Sequence, residues 1–265
     1  MAEETPVSAV EEGRTLCFFA SDVHLGLEHQ DPEGRERRFV SFLASLSRSR
    51  THSLFLLGDI WDFWYEYKYV VPKGYVRVFA QILDLIDNGV KVYFCPGNHD
   101  VWAYSYFEEL GMIKMQQPFT VTLGGKVFCL GHGDSLGSAS LKDRFLHWMF
   151  HSKVLQALFS TLHPRLAFAL GYGWSHSNRL SHDHHGEYKF EKGKVPLWNF
   201  ALEYARSHKV DYFIFGHYHT FVDETLPTGE RLLVLKDWMK GESYFFFDLR
   251  SGNLGISGSL PNSDQ

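Results

Sequence analysis

The chain has little that would mark a secreted or membrane-embedded protein. Only three cysteines occur in 265 residues, Cys17, Cys95 and Cys129. Each lies inside an apolar run without paired spacing, so no disulfide framework is expected, and the thiols read as reduced core residues of a cytoplasmic protein. No segment approaches the roughly 20 apolar residues of a spanning helix. The N-terminal MAEETPVSAVEEG is acidic and lacks a hydrophobic stretch, so residues 1–13 are expected to be a flexible tail rather than a signal peptide. Positive charge is also scarce. A formal net charge of −5 argues against a general nucleic-acid binder, which carries a basic face. Internal repeats and low-complexity tracts are missing too.

Apolar and aromatic residues are abundant: 45% of the chain is hydrophobic, with 23 Phe, 13 Tyr and 7 Trp. That suffices for one α/β domain over 14–265 with an insertion. Thr15–Ala20, Leu54–Leu57 and Val90–Cys95 are continuous apolar runs, the mark of strands buried on both faces. Tyr75–Asp87 has helical spacing and stops at Asn88-Gly89. Phe119–Leu123 and Lys126–Leu130 flank Gly124-Gly125, a hairpin signal. Val210–Phe215, Leu232–Leu235 and Tyr244–Leu249 complete the strands. From about 136 to 196 the rhythm breaks into a helical, aromatic and His-rich stretch, read as an insertion or lid.

Polar residues able to bind metal follow the strands in turn: Asp22 and His24, Asp59, Asn98, His132, then His217 and His219. In α/β sheets, loops at the carboxyl ends of strands converge on one site. Two ions about 3.5–4 Å apart need a ligand that touches both, which a carboxylate can do. Residues two apart on a strand point the same way, so Asp22 with His24, and His217 with His219, can address one centre. Taken alone, each motif is weak; five in order are specific.

The set D-x-H, G-D-x-x-D, G-N-H-D, G-H-G-D and G-H-x-H resembles the calcineurin-like metallophosphoesterase superfamily from Thr15 to Leu249. The resemblance implies a four-layer α/β/β/α sandwich. One ion would be held by Asp22, His24, Asp59 and His219, and the other by Asp59, Asn98, His132 and His217, with Asp59 as the bridge. It implies Mn²⁺ in first place, with Fe, Zn or Mg accepted by the same ligands. It places His99 beside the leaving-group oxygen as proton donor or charge stabiliser, with Asp62 accepting its other N–H.

Gly58-Asp59-Ile60-Trp61-Asp62-Phe63-Trp64 further resembles the signature of the UDP-2,3-diacylglucosamine diphosphatases of lipid A synthesis. Those enzymes release UMP and a diacylglucosamine 1-phosphate. The substrate expected by that likeness is lipid-linked and phosphate-containing, the location cytoplasmic and peripheral at the inner membrane, and nucleic acid is not expected. His99 stands where that family typically has Arg. Ser175, Asn178 and Arg179 are the nearest counterparts of its substrate-contacting run, and Asn98 is a further substrate contact. Trp61 and Trp64 either stack on a substrate ring or pack beneath the lid. The apolar insertion residues either shelter acyl chains or bury the lid. His182-Asp183-His184-His185 reads as a loop rather than a third metal site. A phosphatase or phosphodiesterase of another substrate, and a non-catalytic scaffold of the same fold, stand as alternatives.

Overall fold

The computed structural model describes residues 5–6, 13–137, 145, 148–183 and 190–257; at 5–6 and 176–183 only the backbone is described. Two six-stranded sheets form the centre. One runs β12 (Leu254–Ile256), β11 (Tyr244–Asp248), β2 (Leu16–Ala20), β3 (Thr51–Leu56), β4 (Lys91–Phe94) and β5 (Ile113–Lys114). The other runs β1 (Thr5–Pro6), β6 (Phe119–Leu123), β7 (Lys126–Leu130), β8 (Tyr212–Phe215), β10 (Arg231–Val234) and β9 (Val222–Thr225).

The apolar runs lack alternation because both faces of each sheet are covered. Leu16, Phe18 and Ala20 pack with Leu54, Leu56 and Val92 against α1 (Pro32–Ser45) and α2 (Val76–Asp87), through Phe39, Phe42, Val78 and Ile82. The intervening residues Cys17, Phe19 and Phe55 face the second sheet, meeting Phe128, Leu130 and Ile214. Phe19 stacks between Phe55 and Phe128, at 5.1 and 5.7 Å between centroids. The outer face of the second sheet, with Cys129, Phe213 and Phe215, packs on Leu197, Trp198 and Ala201. These three cores separate four layers, the α/β/β/α order expected. All three cysteines are buried and free. Burial pushes the Cys17 thiol up to about 12 and the other two further, so they stay protonated core residues.

The hairpin turns at Gly124-Gly125 (φ 54° and 77°), which closes the Leu123–Lys126 pair. Inside the stretch expected to be a tail, Thr5–Pro6 pairs in parallel with Val121–Thr122. The short α3 (Tyr106–Glu109) is entered through the Glu66 carboxylate, which accepts from Tyr104 N and Tyr106 N at 2.7 and 3.1 Å.

Between β7 and α6 (Pro196–Ser207) the described residues hold helix only: Trp148–His151, α4 (Lys153–Ser160) and α5 (Pro164–Asp183). This segment rests on the loop after β3. Tyr65 OH donates to Gln156 O (3.0 Å), Tyr67 OH to Leu162 O (3.1 Å), and Trp102 Nε1 to Phe150 O (2.9 Å). Among the described residues, no helix is long and apolar enough to cross a membrane.

Because β2, β3 and β4 are parallel, and β7 and β8 are parallel, their carboxyl ends lie at one edge. The loops that follow are tied to one another by main-chain bonds. Asp22 N donates to Gly58 O (3.0 Å), His24 N to Asp59 O (3.0 Å), and Gly216 N to His132 O (2.9 Å).

Candidate metal centre

The ligand-bearing loops do not continue as strands. Asp22, His24, Asp59, His217 and His219 all have left-handed backbones, with φ between 49° and 70°. The expected same-side projection of Asp22 with His24 and of His217 with His219 therefore comes from repeated left-handed turns, not from strand alternation. Asp and His tolerate this region better than most side chains. Glycines let the loops close. A Cβ on Gly97 would strike the Asp59 carboxylate and main chain, and one on Gly216 would strike the Asp22 carboxylate and Ser21.

The seven expected ligands come together. Asp22, His24 and His219 form one group of converging donor atoms, and Asp22, Asp59 and His132 another. Asp59 Oδ2 lies 3.2 Å from His132 Nε2 and 3.9 Å from His24 Nε2, between the two expected sets. His219 Nε2 is 3.5 Å from Asp22 Oδ1. On the other side, Asn98 Oδ1 is 3.3 Å from His132 Nε2 and 3.1 Å from His217 Nδ1.

Three of the imidazoles are held from behind. His132 Nδ1 donates to Leu57 O (2.9 Å), His24 Nδ1 to Asp62 Oδ1 (3.2 Å), and His219 Nδ1 to Asp237 Oδ2 (3.0 Å). Each bond places the proton on Nδ1 and turns the basic Nε2 inward, as metal-binding histidines require. Asp22 is held by Ser21 Oγ (2.6 Å) and His217 N (3.0 Å). A donor set of carboxylates, imidazoles and one amide oxygen suits divalent cations. These residues fit the metals that the motif resemblance implies.

The electrostatics agree. Burial pushes the Asp59 carboxyl up, but His132, His99 and His24 around it win and hold it well below the usual range. Burial likewise works against charge on His132, yet Asp59 holds that imidazole well above its ordinary value. This pocket favours positive charge beside Asp59. Burial and His132 together push His217 down to about 4, so it is a neutral imidazole at pH 7, the form that ligates.

Several expectations about supporting residues are corrected. The Asp62 carboxylate serves His24, not His99: His99 Nδ1 donates to the main-chain oxygen of Asp62 at 2.7 Å and stands 3.8 Å from Oδ1. Trp61 and Trp64 are fully buried and cannot stack on a substrate. Trp61 stacks on Phe107 at 4.4 Å, and Trp64 packs on the same ring at 4.7 Å. The loop carries both indoles into the core that Ile60 and Phe94 also line. Ser175 does come to the site, where its hydroxyl donates to Asp62 Oδ1 at 2.8 Å and it lines the pocket beside His99. Asn178, Arg179 and the His182-Asp183 pair lie on the α5 backbone, with side chains outside the described residues; His184-His185 lie wholly outside them.

Two acids escaped the sequence reading. Asp100 ends the G-N-H-D motif and clamps the loops, accepting from Gly97 N (2.7 Å) and Ile60 N (2.9 Å). Burial and the nearby Asp59 push its carboxyl up to about 7. Asp237 lies three residues past the end of β10. Its position after a strand, like that of the other acids, was the available signal.

His99 opens onto a groove lined by Asp62, Phe63, Asn98, Trp102, Trp174 and Ser175. Phe63, Trp102, Phe150, Gly171 and Trp174 also line a cleft of about 510 Å³ beside it, within the helical segment. The further walls of the cleft are Met149, Leu155, Leu158, Phe159, Leu162 and Leu170, all apolar.

Comparison with known proteins agrees with the site. The family model for calcineurin-like phosphoesterases matches residues 17–221. The chain is 36% identical over 254 residues to a UDP-2,3-diacylglucosamine hydrolase of Porphyromonas gingivalis, spanning 89% of this chain and 95% of that protein. A Haemophilus influenzae protein of the same name is 27% identical over 246 residues, spanning 90% and 97%. Among solved structures, a dimetal phosphatase from Danio rerio matches the fold with a TM-score of 0.50 and 16% identity, over 93% of this chain and 96% of that one. With the five motif loops converged and a family model over most of its length, the chain belongs to the calcineurin-like phosphoesterases, hydrolases of phosphoester and diphosphate bonds.

Proposed function

We propose that the protein hydrolyses the diphosphate of UDP-2,3-diacylglucosamine at a two-metal centre, Mn²⁺ being the favoured ion, to give UMP and 2,3-diacylglucosamine 1-phosphate. The observation that carries this reading is the apolar cleft that adjoins the His99 groove and shares five lining residues with it. A substrate with a charged diphosphate and two hydrocarbon chains needs both, side by side. The P. gingivalis relative bears the name of this reaction.

Asp22, His24, Asp59 and His219 would hold one ion, and Asp59, Asn98, His132 and His217 the other. Bound divalent cations supply a water of lowered pKa and neutralise charge on the phosphoryl oxygens. His99 has its Nδ1 proton committed to the Asp62 carbonyl. A second proton, on Nε2, is therefore the one it can give to the leaving oxygen. The helical segment acts as a lid, with the acyl chains against Leu155, Leu158, Leu162 and Leu170. Each buried CH₂ of the chains is worth about 0.8 kcal/mol there.

The deciding assay measures UMP release with Mn²⁺ from UDP-2,3-diacylglucosamine, from non-acylated UDP-sugars, and from nucleotides and single-stranded DNA. Release confined to the acylated substrate is expected. Equal rates on non-acylated substrates would remove the acyl reading, and DNA cleavage would put a phosphodiesterase in its place. Within the cleft, Leu162→Glu is expected to raise KM for the acylated substrate by about 10- to 100-fold, since it sets a charge where apolar surface is buried. A non-acylated substrate should be turned over as before.

The same segment is proposed to touch the membrane that supplies the substrate. Phe145, Trp148, Val154, Leu158, Leu166 and Leu170 are more than half exposed. From Arg144 to His182 the sequence holds no Asp or Glu but does carry Lys153, Arg165 and Arg179. Exposed apolar side chains with basic flanks suit an anionic bilayer surface. Flotation with vesicles containing phosphatidylglycerol is expected to carry the protein, and Trp148→Glu with Leu166→Glu to release it. Equal flotation of the variant would exclude this contact.

A further inference from the structure

Asp62 is the junction of three parts of the molecule. Its main-chain oxygen accepts from His99 Nδ1 (2.7 Å). Its Oδ1 accepts from His24 Nδ1 (3.2 Å) and also from Ser175 Oγ (2.8 Å). Ser175 belongs to α5, 113 residues along the chain from Asp62, and is buried. A single carboxylate oxygen thus joins a helix of the insertion to an expected metal ligand.

From this geometry we infer that docking of the helical segment and metal binding are coupled through the Ser175–Asp62–His24 relay, with Ser175 as a positioning residue. The inference rests on the reading of Asp22, His24, Asp59 and His219 as a metal site. The Ser175 hydroxyl fixes the carboxylate from the α5 side. The fixed carboxylate sets the plane of the His24 ring and the basicity of its Nε2. With the hydroxyl gone, Oδ1 keeps His24 but loses the bond that ties it to α5. The contact is local and polar, in a region where α5 also packs by ring contacts, such as Phe63 with Phe168 and Tyr172 at 5.8 and 5.9 Å, and by the Tyr172 hydroxyl against that of Tyr75. The rings can hold the helix in place without sensing the metal, whereas the hydrogen bond senses both.

Coupling between two events is reciprocal. If the docked segment favours metal, then metal must favour the docked segment. Two readouts follow, neither of them turnover. First, titration of the metal-stripped full chain with Mn²⁺ is expected to give affinity about 3- to 10-fold weaker at one site in Ser175→Ala, below the 10- to 100-fold typical when a direct partner of a metal ligand is lost. Ser175→Thr, which restores the hydroxyl, is expected to bind as the wild type does. Second, hydrogen exchange over α4 and the first half of α5 is expected to slow when Mn²⁺ is added to the wild type, and to respond less in Ser175→Ala.

The outcomes separate cleanly. No Mn²⁺ binding by the wild type would remove the metal-site reading itself. Equal Mn²⁺ affinity in wild type and Ser175→Ala would overturn the relay while leaving that reading intact. Equal affinity with a raised KM would return Ser175 to a direct substrate contact. Equal affinity with a lowered melting temperature of the metal-free protein would make it a packing residue only.

Discussion

Asp59→Asn is expected to lower turnover by about three to five orders of magnitude, which corresponds to several kcal/mol of lost charge stabilisation at about 1.4 kcal/mol per factor of ten. An Asp59 oxygen lies between the two ligand sets, 3.2 Å from His132 and 3.9 Å from His24. An amide keeps the acceptor for His99 N, which donates to Oδ1 at 2.9 Å. It cannot present a second anionic oxygen. The substitution is nearly isosteric, so the fold should survive. In chelator the melting temperature should fall somewhat below that of the wild type, because the variant loses the carboxylate charge that His132, His99 and His24 hold ionised. Added Mn²⁺, which stabilises any chain that binds it, should raise the melting temperature of the wild type far more than that of the variant. Turnover within tenfold of wild type would deny Asp59 the bridging role.

His99→Ala should behave differently. Metal content should stay near that of the wild type, since all seven proposed ligands remain. Turnover should fall by about 10²- to 10⁴-fold, the usual contribution of a positioned proton donor. The dependence on leaving group is the sharper readout. A nitrophenyl phosphate ester departs without needing a proton, so its loss should be small, while an alkyl phosphate ester, which must release an alkoxide, should show the full loss. A variant that lost metal instead would make His99 a ligand, and one that lost both substrates equally would make it a charge stabiliser alone.

The strands were readable because both faces of each sheet are buried, which leaves long apolar runs with sharp polar ends. Phe119–Leu123 and Lys126–Leu130 match to the residue, helped by a glycine pair that only a tight turn requires. The ligand loops were readable as positions but not as conformations, since nothing in D-x-H distinguishes a strand end from paired left-handed turns. Trp61 and Trp64 could not be assigned from their neighbours. They flank a ligand and an acid in sequence, and only the course of the loop decides that both indoles point away from the site. Partners of the histidines were the least visible. Asp237 meets His219 across 18 residues, and Ser175 meets Asp62 across 113. Such pairs are set by tertiary closure and leave no local pattern. The acidic motif residue Asp62 was recognised, but its two acceptor groups serve different histidines, which a one-dimensional reading merges into one.

Five of the proposed ligands sit at backbone angles that L side chains rarely adopt. Each costs on the order of 1–3 kcal/mol at most, and less for Asp and His than for bulkier residues. A chain selected only to fold would find glycine or asparagine advantageous at Asp22, His24, Asp59, His217 and His219. Every such replacement would relax the loop and erase a donor. Chemistry and thermal robustness therefore pull these positions in opposite directions, and their present residues are what selection for catalysis, not for stability, would keep. Loss of function is thus the downhill path for this fold, with an inert but sturdier descendant reachable one substitution at a time.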